Sequence, residues 1–414
     1  MKKAILVALQ TKNTSIVDIN SSLDELSRLC LTDNISTAAA LIQKRELPDP
    51  AFFIGQGKAL EIGDLVKKFN ADVVIFDNPL KPTQQRNLEK VIGVPTMDRI
   101  RVILNIFAMR ARTREGKLQV ERAELSYWLS RLASQGVNLD SQTGGIGTRR
   151  GPGEKKIEND KRKLRDEIAK LDRGIAKIKE RRDIQRHKRS LSDLPEVAIV
   201  GYTNAGKSTL LKALSNSEIY IDDKLFATLD PLTRKIRLAG GRMVLFTDTV
   251  GFINNLPHDL VAAFRATMEE ILRAKCVLHI VDASSPSMQK QMETVVEVIK
   301  DIGAGSIPLI TVYNKADKIE DFWKKTLKNK NSCVISAKDN SGIDELLKSV
   351  EKIVQPKHVK HLVKLEYGRQ DLLDVIYKLA NVKAKTYQKE NIELEIETSA
   401  ANWQKIQTIL TRPK

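Results

Sequence analysis

Over the first 112 residues, short apolar runs alternate with segments in which apolar residues recur at steps of three and four. The runs at 3–9, 51–54, 72–76 and 94–97 predict strands, and the segments at 23–31, 58–69, 82–91 and 100–111 predict helices. The reasoning is geometric: a strand repeats its faces every two residues and a helix every 3.6. Such alternation predicts an α/β domain of the nucleotide-binding-like kind, with a partly parallel sheet. The pattern then changes. From about 117 to 132, Leu118, Leu125 and Leu132 stand seven apart, and from about 157 to 187, Leu164, Ile168, Leu171, Ile175 and Ile178 follow at steps of four and three. Neither helix would be stable with such a stripe in water, so together they predict a long antiparallel hairpin. A turn-rich stretch at 190–195 precedes a second α/β pattern that lasts to about 354. Strand-like 359–365 and 392–396, with helix-like 370–379 and 402–410, predict a small C-terminal α/β domain. The expected fold is thus a multidomain α/β protein divided at 1–112, 113–190, 191–355 and 356–414.

Composition adds one decisive feature. Lys and Arg number 69 against 52 Asp and Glu, a formal net charge of +17. Between Arg149 and Ser190 there are 17 basic residues against 8 acidic, so over half of the excess lies in the second hairpin helix and its approach. A solvated helix face explains alternating charge but not this imbalance, which favours a polyanionic partner; charge alone does not separate RNA from DNA. The connection between the two helices is unusual too. It holds Gly136, Gly144, Gly145, Gly147, Gly151 and Gly153 in about two dozen residues, far beyond the few that a structural turn needs.

Other classes are disfavoured. No run of 18 apolar residues exists, so no membrane span is expected. The apolar start resembles a signal peptide, but it is short, lacks a small-residue cleavage site and is interrupted by Gln10, Lys12 and Asn13, so a first strand is expected. Cys30, Cys276 and Cys333 are too scattered for a disulfide framework or zinc site, which suits a reducing cytoplasm. Gly55-Gln56-Gly57-Lys58 is too short for phosphate-loop spacing and reads as a tight strand-to-helix turn.

The chemistry lies in the third domain. Gly201-Tyr202-Thr203-Asn204-Ala205-Gly206-Lys207-Ser208 directly follows the apolar run Val197–Ala198–Ile199–Val200 and leads through Thr209 into a helical segment. This is a P-loop: amides of the turn cradle phosphates, Lys207 reaches the β- and γ-phosphates, and Ser208 ligates Mg²⁺. Asp248 ends another apolar run, placed to reach the Mg²⁺ shell through water, and Gly251 follows with an amide for the γ-phosphate. Asn314-Lys315-Ala316-Asp317 supplies a carboxylate that accepts both N–H groups of the guanine edge, a pairing adenine cannot offer. In that motif Asn314 braces the loop and the stem of Lys315 covers the ring. Ser336-Ala337-Lys338 presents the Ala337 amide to the guanine oxygen. Phe226-Ala227-Thr228 supplies a threonine for Mg²⁺ and γ-phosphate, with Thr233 as a competing candidate. The ordered set predicts a Mg²⁺-dependent P-loop GTPase binding GTP and GDP, its mostly parallel sheet covered by helices on both faces.

Two residues qualify the catalysis. Phe252 occupies the place where many GTPases carry a glutamine that orients water, and a phenyl ring cannot do so. Either hydrolysis is slow until a partner completes the site, or a cation helps. Asn204 favours K⁺, which some GTPases with asparagine there bind across the phosphates in the charge role of an arginine finger. Lys207, Thr228, Gly251 and Asn204 are therefore the expected catalytic group.

Outside these motifs, Phe53-Ile54-Gly55-Gln56-Gly57-Lys58, Gln85-Arg86-Asn87-Leu88-Glu89, Asp98-Arg99, Ala111-Arg112-Thr113-Arg114-Glu115-Gly116-Lys117-Leu118-Gln119-Val120-Glu121, Gly144-Gly145-Ile146-Gly147-Thr148-Arg149 and Arg150-Gly151-Pro152-Gly153-Glu154 make nearly the whole chain resemble the HflX family of ribosome-associated GTPases. The resemblance implies a monomeric cytoplasmic factor that binds the large ribosomal subunit and splits stalled or idle ribosomes under stress. It implies that the hairpin tip reaches rRNA near the peptidyl-transferase centre. Candidate contacts are Gly144, Gly145, Gly147, Arg149, Arg150, Gly151, Gly153, Lys155 and Lys156. Lys155-Lys156 and the Arg149-Arg150 pair depart from the family pattern and add charge. Two rival functions are a helicase-like RNA-remodelling enzyme and a non-catalytic assembly or tethering module; the first lacks a paired helicase core in this sequence.

Overall fold

The computed structural model describes residues 1–12, 14–140, 152–189, 194–215, 225–226, 230–253, 265–327, 329, 331–355, 358–369, 371–388 and 391–411. The chain divides into two compact units, Met1–Val350 and Glu351–Lys414.

The first unit opens on β1 (Lys2–Gln10), whose unbroken apolar run suits a strand covered on both faces. It lies between β2 (Ile35–Lys44) and β3 (Val73–Phe76), with β4 (Thr96–Asp98) beyond, in the order β2-β1-β3-β4 and all parallel. Helices α1 (Ile16–Thr32) and α4 (Arg99–Arg110) pack on Ala4, Leu6 and Ala8. Helices α2 (Gln56–Phe69) and α3 (Pro82–Ile92) pack on Ile5, Val7 and Leu9.

Two strand expectations need correction. β2 was not anticipated, and 51–54 is no strand. There the Asp49 carboxylate accepts from the Ala51 and Phe52 amides at 2.8 and 2.9 Å, and Phe53 turns through a positive φ of 67°. The Ala-Phe-Phe-Ile run is apolar because Phe53 and Ile54 plug the sheet face, so Gly55 caps a helix entered from a turn.

The hairpin helices are longer than their apolar stripes suggest: α5 runs Arg114–Asp140 and α6 runs Pro152–Arg189. They are antiparallel, since Arg122 pairs with Asp172 at 3.0 Å while Leu118 lies against Gly174. The stripe residues Leu164, Ile168, Leu171, Ile175 and Ile178 are half-buried between exposed charges, as a two-helix seam demands. Gly136 is therefore helical, and Gly153, Lys155 and Lys156 belong to the first turns of α6, with Pro152 at its start. Gly144, Gly145, Gly147, Arg149, Arg150 and Gly151 lie outside the described residues.

Beyond the hairpin come β5 (Glu196–Gly201), α7 (Lys207–Ser215), β6 (Leu232–Arg237), β7 (Met243–Asp248), α8 (Arg265–Arg273), β8 (Cys276–Asp282), α9 (Met288–Asp301), β9 (Leu309–Asn314), α10 (Asp321–Leu327), β10 (Ser332–Val334) and α11 (Ile343–Val354). Among the described residues the sheet order is β10-β9-β8-β5-β7-β6, parallel except for β6. Ligands of open α/β sheets bind outside the carboxyl ends of central strands, and β5, β7 and β9 end there on Gly201, Asp248 and Asn314.

In the second unit, β11 (His358–Glu366), α12 (Leu372–Leu379), β12 (Asn381–Tyr387), β13 (Asn391–Ser399) and α13 (Ala400–Leu410) form an antiparallel sheet ordered β11-β13-β12. Its core joins Val363, Leu365, Ile392, Leu394 and Ile396 to Ile376 and Ile406 of the helices.

Candidate guanine-nucleotide site

The P-loop is fixed from both sides. The Thr203 amide donates to the Phe252 carbonyl at 2.8 Å and the Phe252 amide to the Gly201 carbonyl at 3.1 Å, so the segment after β7 runs beside the loop. Gly206 adopts φ 94°, and a Cβ there would lie 2.1 Å from Asn314 Nδ2. Only glycine fits both demands. Asn204 is exposed at φ 60°, a conformation asparagine tolerates well, so backbone geometry alone accounts for an asparagine here.

Lys207 is buried at the first position of α7 and donates to the Gly201 and Tyr202 carbonyls at 3.2 and 2.9 Å. Burial pushes its ammonium down to about 8, partly opposed by Asp248. A Cβ on Gly251 would stand 3.0 Å from Lys207 Nζ, so the glycine admits ammonium and ligand to the same place. Ser208 donates to Asp248 Oδ2 at 2.6 Å. A hydroxyl and a carboxylate at a helix N-terminus are the hard oxygen donors that suit Mg²⁺ beside phosphates. Thr209 follows within α7.

The base-side motifs are tied to the P-loop by one side chain. Asn314 Nδ2 donates to the Ala205 carbonyl at 2.8 Å, and its Oδ1 accepts from the Ala337 amide at 3.0 Å. Asn314 thereby joins its own motif to the P-loop, 109 residues upstream, and to the Ser336-Ala337-Lys338 motif, 23 residues downstream. Lys315 stands at φ 63° and its ammonium donates to Asp282 Oδ2 at 2.6 Å. Asp317 accepts from Ser336 Oγ at 2.8 Å, which holds its carboxyl below the usual carboxylate range. Its surroundings keep it an acceptor at neutral pH. Lys338 is exposed at the rim.

The switch residues divide. Phe252 is buried in the apolar core, which removes its ring from the phosphate side of the backbone. Phe226 is also buried, edge-on to Phe107 of α4 at 4.6 Å. Thr228 lies outside the described residues. Its competitor Thr233 faces Thr247 across the β6–β7 pair, their hydroxyls 2.9 Å apart, and is taken up in the sheet.

Sequence reasoning missed Asp282 and the contacts with the N-terminal elements. Asp282 had a signal, since like Asp248 it ends an apolar strand. The contacts did not. Tyr202 of the P-loop donates to Glu25 of α1 at 2.5 Å, and Glu25 pairs with the buried Arg99, which also holds Asp77. Lys290 of α9 pairs with Asp18, and Lys179 of α6 with Glu269 of α8.

A strand leading into a phosphate loop, a buried lysine and a serine–aspartate pair, joined through Asn314 to the Asn-Lys-Ala-Asp and Ser-Ala-Lys turns, are the architecture of a P-loop GTPase. Three family models match in succession: GTP-binding GTPase N-terminal over 20–108, GTP-binding GTPase Middle Region over 110–189, and 50S ribosome-binding GTPase over 196–315. Proteins named GTPase HflX are similar over most of the chain. That of Caldanaerobacter subterraneus subsp. tengcongensis is 45% identical, covering 85% of this chain and 80% of its own length. That of Lacrimispora saccharolytica is 42% identical with 94% and 92% covered, and that of Escherichia coli 38% identical with 93% and 91% covered. A solved structure of SsGBP with GDP aligns at TM-score 0.47 and 24% identity, covering 85% of this chain and 98% of the other. The chain belongs to the HflX family of GTPases. No helix among the described residues is long and apolar enough to cross a membrane.

Proposed function

We propose that the protein is a GTP-driven factor of the cytoplasm that binds the large ribosomal subunit as a monomer and separates stalled or idle ribosomes under stress. The observation that carries this reading is the attachment of one guanine-nucleotide site to a long basic hairpin. The nucleotide supplies a two-state signal, and the hairpin supplies the polyanion-binding arm. The working parts are taken as residues 1–112, 113–190, 191–355 and 356–414. Mg²⁺ would be held by Ser208 and Thr228, with Asp248 reaching it through water, and would supply charge neutralisation at the phosphates. Lys207, Gly251 and the P-loop amides bind and orient the γ-phosphate. Asn314, Lys315, Asp317, Ser336, Ala337 and Lys338 hold the base. The tip from Gly144 to Lys156 contacts rRNA.

With Phe252 turned into the core, water positioning falls to the ribosome or to a cation beside Asn204. Hydrolysis is therefore slow alone, ribosome-stimulated and faster in K⁺ than in Na⁺. Equal rates in KCl and NaCl at matched ionic strength remove the K⁺ part. Sedimentation of intact ribosomes with the protein plus GTP, a non-hydrolysable analogue or GDP tests the whole. The expected outcome is co-sedimentation with the large subunit and loss of intact ribosomes in the triphosphate states only. Indifference of both to the nucleotide overturns the reading.

A further inference from the structure

Asp230 lies just beyond the segment that carries Thr228, 117 residues from Thr113, and its carboxylate is seated in the turn that opens α5. It accepts from the Arg112 amide at 3.1 Å, the Thr113 amide at 3.0 Å and the Thr113 hydroxyl at 2.5 Å. Thr113 is meanwhile the cap of α5, its hydroxyl accepting from the Gly116 amide at 3.0 Å. Gly116 permits the approach: a Cβ there would lie 2.6 Å from Asp230 Oδ1. Four residues upstream, Phe226 is pinned by its ring against Phe107, with its backbone at φ 54°. Asp230 and Phe226, which bracket the threonine segment, are thus both fastened to the junction of α4 and α5, and Phe226 also belongs to the apolar core that holds Tyr202, Val250 and Phe252. The Ala111–Glu121 stretch, the most specific part of the family resemblance, here acquires a physical task.

We propose that Asp230 is a positioning residue for GTP hydrolysis: held by the Thr113–Gly116 turn, it fixes the end of the switch segment, so that the head of the hairpin sets the rate of the chemical step. The inference rests on the reading of the site as a GTPase. Holding reacting groups in register is worth rate rather than ground-state affinity. A purely structural role for the same contacts would lower stability and leave kcat alone.

Single-turnover GTP hydrolysis and fluorescent GDP binding are measured on the full-length protein for Asp230→Ala, Thr113→Val, Gly116→Ala, Thr113→Ser and the Asp230→Ala/Thr113→Val pair. Each of the first three is expected to lower the rate by about tenfold with GDP affinity held within about twofold. The double variant should be no slower than either single one, because both remove the same contact. Thr113→Ser keeps the hydroxyl and should retain the wild-type rate. An unchanged rate in Gly116→Ala and Thr113→Val, additive losses in the double variant, or equal loss in Thr113→Ser and Thr113→Val overturns the proposal. Should Asp230→Ala fail to fold, Thr113→Val and Thr113→Ser at the exposed Thr113 decide alone. A wild-type protein that hydrolyses no GTP overturns instead the reading beneath it.

Discussion

Replacing Lys207 by methionine is expected to abolish GTP turnover, lowering it by roughly a thousandfold, while leaving the thermal midpoint of the nucleotide-free protein within about 3 °C of wild type. The two halves of this expectation come from one observation. The ammonium is buried against backbone carbonyls, and its pKa is driven down to about 8. A depression of that size corresponds to about 3 kcal/mol spent on holding the charge in place. The sign follows from linkage. A cation whose folded pKa is lowered opposes folding at every pH below about 8, and the penalty fades only as pH rises through 8 toward its unfolded value near 10.5. Removing the charge relieves that cost and forfeits two hydrogen bonds to carbonyls, so the two nearly cancel. A phosphate chain gives the same ammonium the counter-charge it lacks, which is why the loss falls on the nucleotide complex. Phosphate release and differential scanning measured side by side check both halves; turnover surviving within tenfold of wild type would sink the assignment.

Asp317→Asn should exchange guanine for xanthine. In the proposed site the carboxylate accepts two N–H groups of guanine, and charge-assisted bonds are worth about 1.5–3 kcal/mol each, so GTP binding should weaken by about a hundredfold or more. Xanthine carries a carbonyl where guanine has its amino group, and the asparagine amide can donate to it. Ser336 Oγ already fixes one oxygen of the native side chain at 2.8 Å, so the amide enters an oriented site. Competition of GTP and XTP for the variant is the measurement. Equal loss of both nucleotides would place the base elsewhere.

The strand ends and turns that carry the guanine-nucleotide motifs were more legible than the elements around them. Asp248 and Asn314 end strands and Lys207 opens the helix after one, all set by local spacing that a linear reading can follow. β2 escaped notice because its Ala-rich sequence lies half-exposed at a sheet edge, without the β-branched alternation that marks a strand. β12 hid for a related reason, as an exposed edge strand carrying Lys383 and Lys385. The hairpin seam was visible in its apolar steps, but the polar, glycine-containing end of α5 and the Pro-Gly-Glu-Lys-Lys start of α6 carry no periodic signal, so they looked like loop. Pairings such as Asp230 with Thr113 or Tyr202 with Glu25 join residues over a hundred apart, and only the closed fold puts them together.

The hairpin that grows from the Thr113 turn is also a lever. Its outgoing helix of 27 residues extends about 40 Å from fulcrum to Asp140 at 1.5 Å per residue. Arg131 pairs with Asp98 and Glu124 with Arg101, so α5 turns together with the N-terminal sheet. A tilt of about 10° of that body at the Thr113 turn sweeps the far end through about 7 Å, more than one helical turn. With the rRNA contact proposed for the tip, a site that senses one phosphate displaces a contact far larger than itself, and the stiffness of the seam sets how much of that motion arrives.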